Sequence, residues 1–243
     1  MWKLEWTSLD PAVNLAFDEA LLEHQEAERG PGVLRIWEPL TLAVILGASG
    51  RVAEEVHVAA CREDAVPWYR RGSGGGTVVI GPGALNISVV APIVVAPELV
   101  AVDRAQAFVL DAFARALTAR GSEVAVRGSG DLVYRDRKCA GSAQRRAKTH
   151  VLIHFTVLYA FPLERIARYL AEPKRRPDYR GGRTHDEFVI NLPLTRSELI
   201  RAASDAYRSL DGDLAPWSLP WPAERLNRLL QSKYADPAWI DRF

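Results

Sequence analysis

The sequence predicts an α+β fold, with mixed and antiparallel β-sheets flanked by helices. Three observations carry this. Short β-branched and aromatic runs cluster between residues 32 and 95 and again between 122 and 161, helical periodicities stand apart from those clusters instead of alternating regularly with them, and 48% of the 243 residues are hydrophobic. The regular strand–helix alternation of a doubly wound fold is missing from this pattern. A chain of this length buries roughly 70 to 75% of the surface its unfolded form exposes, so the expectation is one large domain over residues 1–243, or one with a small appendage.

From Asp10 to His24, Val13, Phe17, Ala20 and Leu21 recur at helical spacing behind an Asp-Pro start, which predicts an amphipathic helix; proline in the first turn removes no bond the helix needs. GVLRIWEP, TLAVILG and AVPWYRR predict strands, with a short helical stretch from Ala53 to Asp64 before the third. TVVIGPGALNISVVAPIVV predicts a hairpin, its Gly-Pro-Gly separating two apolar runs. Asp103 to Gly121 is spaced for a helix that Gly121 stops, and SEVAVRGSGDLVYRDRKCAGSAQRR predicts two strands around a turn. VLIHFTVLYAF is an apolar strand with a polar pair in it, and Leu163 to Leu170 is a helix ended near Pro173. EPKRRPDYRGGRTHDEF is basic and poor in apolar residues, a loop long enough to carry function. Helices around Ser197 to Leu210 and Ala223 to Lys233 follow.

Composition removes several function classes. Lys+Arg 31 against Asp+Glu 30 leaves a formal charge of +1, without the basic excess of a protein that neutralises many phosphates, so no nucleic-acid partner is expected. Cys61 and Cys139 form no Cys-x-x-Cys pair and the histidines at 24, 57, 150, 154 and 185 are scattered, which indicates neither a disulfide framework nor a zinc site and points to a reducing compartment. Acids interrupt the N-terminal stretch where a signal peptide carries its apolar core, and no run reaches about 18 apolar residues. A cytoplasmic location with no membrane partner is the expectation. Lysine is scarce, at positions 3, 138, 148, 174 and 233 only, so one inside a glycine-bearing motif stands out.

Two segments carry chemistry. In RRGSGGGTVV, residues 70–79, successive backbone N–H groups of a glycine loop make an anion-binding concavity beside two guanidinium groups, suited to a phosphate or carboxylate; the other reading is a Gly-rich turn with solvated arginines. It has neither Walker nor Rossmann spacing. In DLVYRDRKCAGSAQRR, residues 131–146, Lys138 stands near the small residues Ala140, Gly141, Ser142 and Ala143, with Arg145 and Arg146 as further anion contacts and Asp131 as a candidate magnesium ligand. An exposed basic hairpin is the alternative.

Arg70-Arg71-x-Ser73-Gly74-Gly75-Gly76, Asp131-Leu132, Lys138-x-x-Gly141-Ser142-Ala143-Gln144-Arg145 and His154-x-Thr156-x-Leu158, in this order, resemble the lipoate-protein ligases of the biotin/lipoate ligase and octanoyltransferase superfamily. The likeness runs from NLAFDEALL at residue 14 to the terminal KYADPAW. It implies an enzyme that activates lipoic or octanoic acid with ATP and Mg2+ to an acyl adenylate and passes the acyl group to a lysine of a lipoyl carrier domain, such as an E2 subunit of a 2-oxoacid dehydrogenase or a glycine cleavage H protein, with a separate accessory subunit as a further possible partner. It implies Lys138 as the catalytic lysine touching acyl carbonyl and phosphate. Arg71, Ser73, Gly74, Gly75, Gly76 and Thr77 would form the loop around acyl chain and phosphate, and Gly141, Ser142, Ala143, Arg145 and His154 would line the same cleft. Asp131 and Asn86 would stand on the nucleotide and magnesium side.

Departures from the family pattern bear on these roles. Gly130 replaces the asparagine of Asn-Asp-Leu, Phe155 replaces the glycine of His-Gly-Thr and is expected to narrow the pocket, and only Asn86 keeps the polar end of the usual His-Asp-x-Gly-Asn. Cys139 is expected to pack away from Lys138 on a strand. A thioester route through Cys139, with octanoyl carrier and no ATP, is the rival reading; a partner-dependent subunit or non-catalytic acyl-adenylate-binding module is another, and biotin ligation a weaker one. Trp37 and Trp68 are candidates for an acyl tunnel, and His185 belongs to the basic loop.

Overall fold

The computed structural model describes residues 1–174 and 176–243. Its strands are β1 (Trp2–Glu5), β2 (Val33–Trp37), β3 (Ala43–Leu46), β4 (Trp68–Arg70), β5 (Val78–Ile80), β6 (Ala84–Pro92), β7 (Val124–Arg127), β8 (Asp131–Tyr134), β9 (Arg137–Arg146), β10 (His150–Leu158) and β11 (Ala215–Pro216). Its helices are α1 (Pro11–Glu28), α2 (Val52–Glu55), α3 (Val58–Glu63), α4 (Pro97–Val100), α5 (Val102–Thr118), α6 (Glu164–Tyr169), α7 (His185–Phe188), α8 (Arg196–Tyr207), α9 (Ala223–Leu229) and α10 (Pro237–Ile240). The strands form an eight-stranded sheet, β11-β1-β2-β6-β10-β9-β8-β7, and a three-stranded sheet, β4-β3-β5. β1 runs parallel to β2 and β11, β3 parallel to β4, and the other pairings are antiparallel.

The large sheet separates two cores. Leu34, Ile36, Ile87, Val89, Ile153, Phe155 and Val157 point to the back face and pack with Phe113 of α5 and Leu199 and Tyr207 of α8. Val33, Trp37, Val90 and Leu152 point to the front, where Phe17 and Leu21 of α1 and Ile45 and Ile80 of the small sheet meet them. A third cluster joins the small sheet to α3, α6 and α7. Alternation along each strand is what assigns these residues to one layer or the other.

Helix α1 starts as expected, with Asp10 Oδ1 accepting from the Ala12 N–H at 2.8 Å and Pro11 in the first turn. It is not amphipathic toward solvent: Asn14, Asp18, Glu19 and Gln25 are buried with the apolar residues. Its polar side faces the interior because β2 places the fully buried Arg35 there, donating to Asp18 Oδ1 at 2.6 Å, the Asn14 carbonyl at 2.8 Å and Asn14 Oδ1 at 2.8 Å. Ser88 Oγ donates to the other Asp18 oxygen at 2.7 Å.

Three local expectations change. The hairpin across Gly-Pro-Gly is absent: β5 pairs with β3 and β6 crosses into the large sheet between β2 and β10, so Gly81-Pro82-Gly83 links two sheets. The segment read as two strands forms three, because Arg135 and Asp136, with φ of 48° and 58°, make a two-residue turn of the kind usually signalled by Asn-Gly. The helical stretch at 53–64 breaks into α2 and α3 where Val56 turns extended and bridges to Leu170. Among the described residues no helix is long and apolar enough to cross a membrane.

Removing the partner of Arg35 leaves a buried guanidinium unpaired. Asp18→Ala is expected to lower the unfolding free energy in urea by about 3 to 5 kcal/mol; a loss of well under 1 kcal/mol would show that the pair does not hold α1 to the sheet.

Candidate active site

Strand β9 carries one extra residue against β8. Leu132 pairs with Ala140 and Val133 with Lys138, so Cys139 is a bulge. In a regular strand Lys138 and Gly141, three apart, would face opposite ways; the bulge sends both Cys139 and Ala140 into the back core and leaves Lys138 on the front face. There its ammonium lies 2.7 Å from Asp131 Oδ1. Asp131 sits directly across from Gly141, and a Cβ on Gly141 would come 2.8 Å from both Cε and Nζ of Lys138. The Lys-x-x-Gly spacing is thus a steric requirement of the lysine's own path.

The same face brings in the glycine loop. His154 is paired with Ala143, and its Nε2 is hydrogen-bonded to Ser73 Oγ at 2.6 Å. Burial and the neighbouring Arg71 guanidinium lower the imidazole pKa to about 4, so the ring is neutral near pH 7. Arg71 is enclosed by the loop it precedes: Nε donates to Ser73 Oγ at 3.1 Å, and Nη2 donates to the carbonyls of Gly74 at 2.6 Å and Gly76 at 2.8 Å. It organises the loop from within. Gly75 has φ of 85°, and a Cβ there would lie 3.0 Å from Arg71 Nη2. Gly74 and Gly76 border open space, and Thr77 Oγ1 donates to Glu55. Arg70 points the other way, with Nε donating to the Trp239 carbonyl at 2.9 Å, Nη1 to that of Gly50 at 2.6 Å and Nη2 to that of Arg242 at 2.8 Å.

Sequence reading missed Glu19, Lys233 and Tyr234. Glu19 is a buried acceptor for Arg145 Nη2 at 2.8 Å, Lys233 Nζ at 2.7 Å and the Tyr234 hydroxyl. Arg145 also donates to the Gly72 carbonyl at 2.9 Å, and the Gly72 N–H donates to the Tyr234 hydroxyl at 3.2 Å. Glu19, Arg71, Ser73, Arg145, His154 and Tyr234 line a cavity of about 20 Å³, room for a water molecule. Glu19 lies in NLAFDEALL and Lys233 and Tyr234 in KYADPAW, the two ends of the family likeness, but nothing in the sequence marks them as partners.

A family model, the lipoyl protein ligase A/B catalytic domain, matches residues 10–202. The chain belongs to this family. A curated relative from Aeropyrum pernix, named as a lipoate-protein ligase A without that assignment being firm, is 34% identical over 165 residues, 68% of this chain and 60% of the relative. The match therefore spans about three fifths of that protein's length. Among solved structures, the bi-partite lipoate protein ligase of Thermoplasma acidophilum, described with its E2 lipoyl domain, has a TM-score of 0.81 at 20% identity, covering 98% of this chain and 95% of that one. A lipoate-protein ligase A bound with ATP has a TM-score of 0.78 at 20% identity, covering 98% and 96%. These two likenesses carry the fold.

Ser142 lies on the back face, where its Oγ donates to the Gly130 carbonyl at 2.7 Å and accepts from Gln106 at 2.9 Å, and Arg146 points the same way, to the Leu99 carbonyl at 2.7 Å. A Cβ on residue 130 would lie 2.3 Å from Ser142 Oγ, so glycine there accompanies this packing. Phe155 does not narrow the cleft: it is in the back core, 5.2 Å from the Phe113 ring. Asn86 Oδ1 accepts from Thr156 Oγ1 at 2.7 Å on the front face. Neither Trp37 nor Trp68 lines the cavity; Trp68 donates to Asp241 instead.

Both carboxylate oxygens of Asp131, the candidate magnesium ligand, are engaged. Lys138 holds one oxygen of Asp131, and the Tyr179 hydroxyl donates to the other at 2.8 Å. Among the described residues no group of three or more His, Cys, Asp or Glu side chains is arranged to hold a metal.

Gly141→Ala is expected to displace Lys138 and depress any activity that needs it while the fold survives, checked by circular dichroism beside the assay; wild-type rates would contradict the steric account. His154 gives a pH signature. Its imidazole takes up a proton near pH 6.5 when unfolded and only near 4 when folded, so the unfolded state binds more protons between these values and stability falls as pH falls through that window. Urea melts at pH 7 and pH 4 should show the wild type losing about 2 kcal/mol more than His154→Gln, less than the full shift because the ring keeps some solvent contact. Equal losses would contradict the neutral, enclosed ring.

Proposed function

We propose that this chain is a lipoate-protein ligase. In the first step the carboxylate of lipoate or octanoate attacks the α-phosphorus of MgATP, and pyrophosphate leaves as the acyl adenylate forms. In the second, the amine of a lysine on a lipoyl carrier domain attacks the acyl carbonyl, loses a proton, and AMP leaves. Carrier domains of the E2 or glycine cleavage H protein type are the partners this reading takes. The observation that carries it is the placement of Lys138 on the same face as the Arg71-ordered glycine loop and the His154–Ser73 pair. The family description, the ATP-bound neighbour and the neighbour described with a lipoyl domain support it.

Both steps gather negative charge, on phosphoryl oxygens and then on the carbonyl oxygen, so fixed donors and a cation are what the chain has to supply. Arg71 holds the loop carbonyls inward, which leaves the open side at Gly74 and Gly76 for an anion. Lys138 waits on Asp131 and moves to the phosphate or carbonyl oxygen when that charge arrives. The neutral His154 orients Ser73. Magnesium enters as part of the nucleotide substrate.

The thioester route finds no support in Cys139. Its Sγ donates to the Leu132 carbonyl at 3.3 Å in the back core, and burial pushes the thiol up to about 12, far from a reactive thiolate. Cys61 is buried as well.

Purified chain with lipoate and MgATP is expected to release pyrophosphate, and a lipoyl carrier domain added to it should gain the mass of one lipoyl group. Lys138→Ala should slow adenylation at least about 100-fold, and Cys139→Ser should retain most of the rate. Labelling of the carrier from octanoyl carrier protein without ATP, abolished by Cys139→Ser, would overturn the proposal.

A further inference from the structure

In the basic segment between α6 and α7, residues 177–184 form a built unit. Arg180 is 3% exposed; its Nε donates to the Arg183 carbonyl at 2.9 Å, its Nη2 to Glu172 Oε2 at 2.6 Å, and its guanidinium lies 4.8 Å from the Phe188 ring. The backbone N–H of His185 donates to the other Glu172 oxygen at 3.1 Å. Arg183 Nη1 donates to the Asp136 carbonyl at 2.7 Å, fastening the segment to the β8–β9 turn, the hairpin that carries Lys138. Tyr179 packs its ring 5.3 Å from that of Phe188 and sends its hydroxyl to Asp131 Oδ2 at 2.8 Å, while Asp131 Oδ1 holds Lys138 at 2.7 Å.

Resting on the ligase reading, we infer that Tyr179 is a positioning residue for Lys138, acting through Asp131. A carboxylate held at one oxygen only can turn about its terminal bond, and its ammonium partner turns with it. With Tyr179 on Oδ2, the oxygen that faces Lys138 is fixed, and the ammonium is kept over Gly141 on the glycine-loop face. Burial and the Asp131 charge push the phenol well above its ordinary pKa, so it remains a donor throughout the neutral range. The Tyr179 hydroxyl is thereby coupled to the readiness of the lysine, an effect that falls on the rate of the chemical step more than on substrate binding.

Tyr179→Phe keeps the ring and removes the donor. Its acyl-adenylate formation is expected to have a kcat lowered about tenfold, the effect of one hydrogen bond to a charged group, with KM for ATP and lipoate changed less than about twofold. Adding Tyr179→Phe to Asp131→Asn should cost nothing further, because the tyrosine acts through the carboxylate. A full rate in Tyr179→Phe, or the same tenfold loss on top of Asp131→Asn, would overturn the inference. Acetylation of the ligand-free proteins, followed by peptide mass spectrometry, reads the same contact without catalysis: Lys138 should be labelled several-fold faster in Tyr179→Phe, relative to the exposed Lys148. An unchanged labelling ratio overturns the positioning role whether or not the chain is active. The expected ratio in a wild-type chain that makes no acyl adenylate supports the contact and overturns the ligase reading alone.

Discussion

Strand β9 has to serve two neighbours at once. Its alternate side chains go to an apolar core under α5 and to a polar cleft under the glycine loop, and a regular period of two cannot give the cleft both Lys138 and Gly141. The extra residue at Cys139 resolves the conflict, burying two successive side chains in the core and returning the lysine to the front. The remaining front residues follow from the register: Asp131 across from Gly141, His154 across from Ala143, Leu152 across from Arg145. One bulge therefore fixes which residues of the motif can meet a ligand.

Charge in the cleft is divided between scaffold and site. Arg35, Arg70 and Arg71 are buried and occupied with carboxylate or backbone carbonyl oxygens, so they shape α1, the glycine loop and the C-terminal turn. Lys138, Arg145 and Lys233 are more accessible and are held by Asp131 and Glu19. Ion pairs of this second kind can exchange partners when an anion arrives, because the incoming charge replaces the carboxylate without leaving a cation unpaired. Scaffold arginines have no such exchange open to them.

Much of this was legible before the fold was known. The α+β class, most strands, the long helices and the two glycine-bearing segments follow from periodicity and punctuation, and the motif order points to the family. The faces of β9 were harder to read. Ser142 and Arg146 belong to the same motif as Lys138, yet only pairing with β8 and β10 shows that they turn to the back. Phe155 was read as narrowing the pocket because its strand neighbours were unknown. Glu19 and Tyr234 lie over 200 residues apart in sequence, and no local pattern announces a contact made only by tertiary packing. Arg135-Asp136 makes a tight turn without the glycine that usually marks one, and arginine seldom adopts positive φ.

A crystal structure of the chain with a non-hydrolysable acyl-adenylate analogue tests the account most directly. It predicts the analogue between β9 and the open side of Gly74 and Gly76, with the Lys138 ammonium moved from Asp131 onto the phosphate-mimicking group. An analogue bound elsewhere, with Lys138 still on Asp131 and the glycine loop untouched, would contradict it.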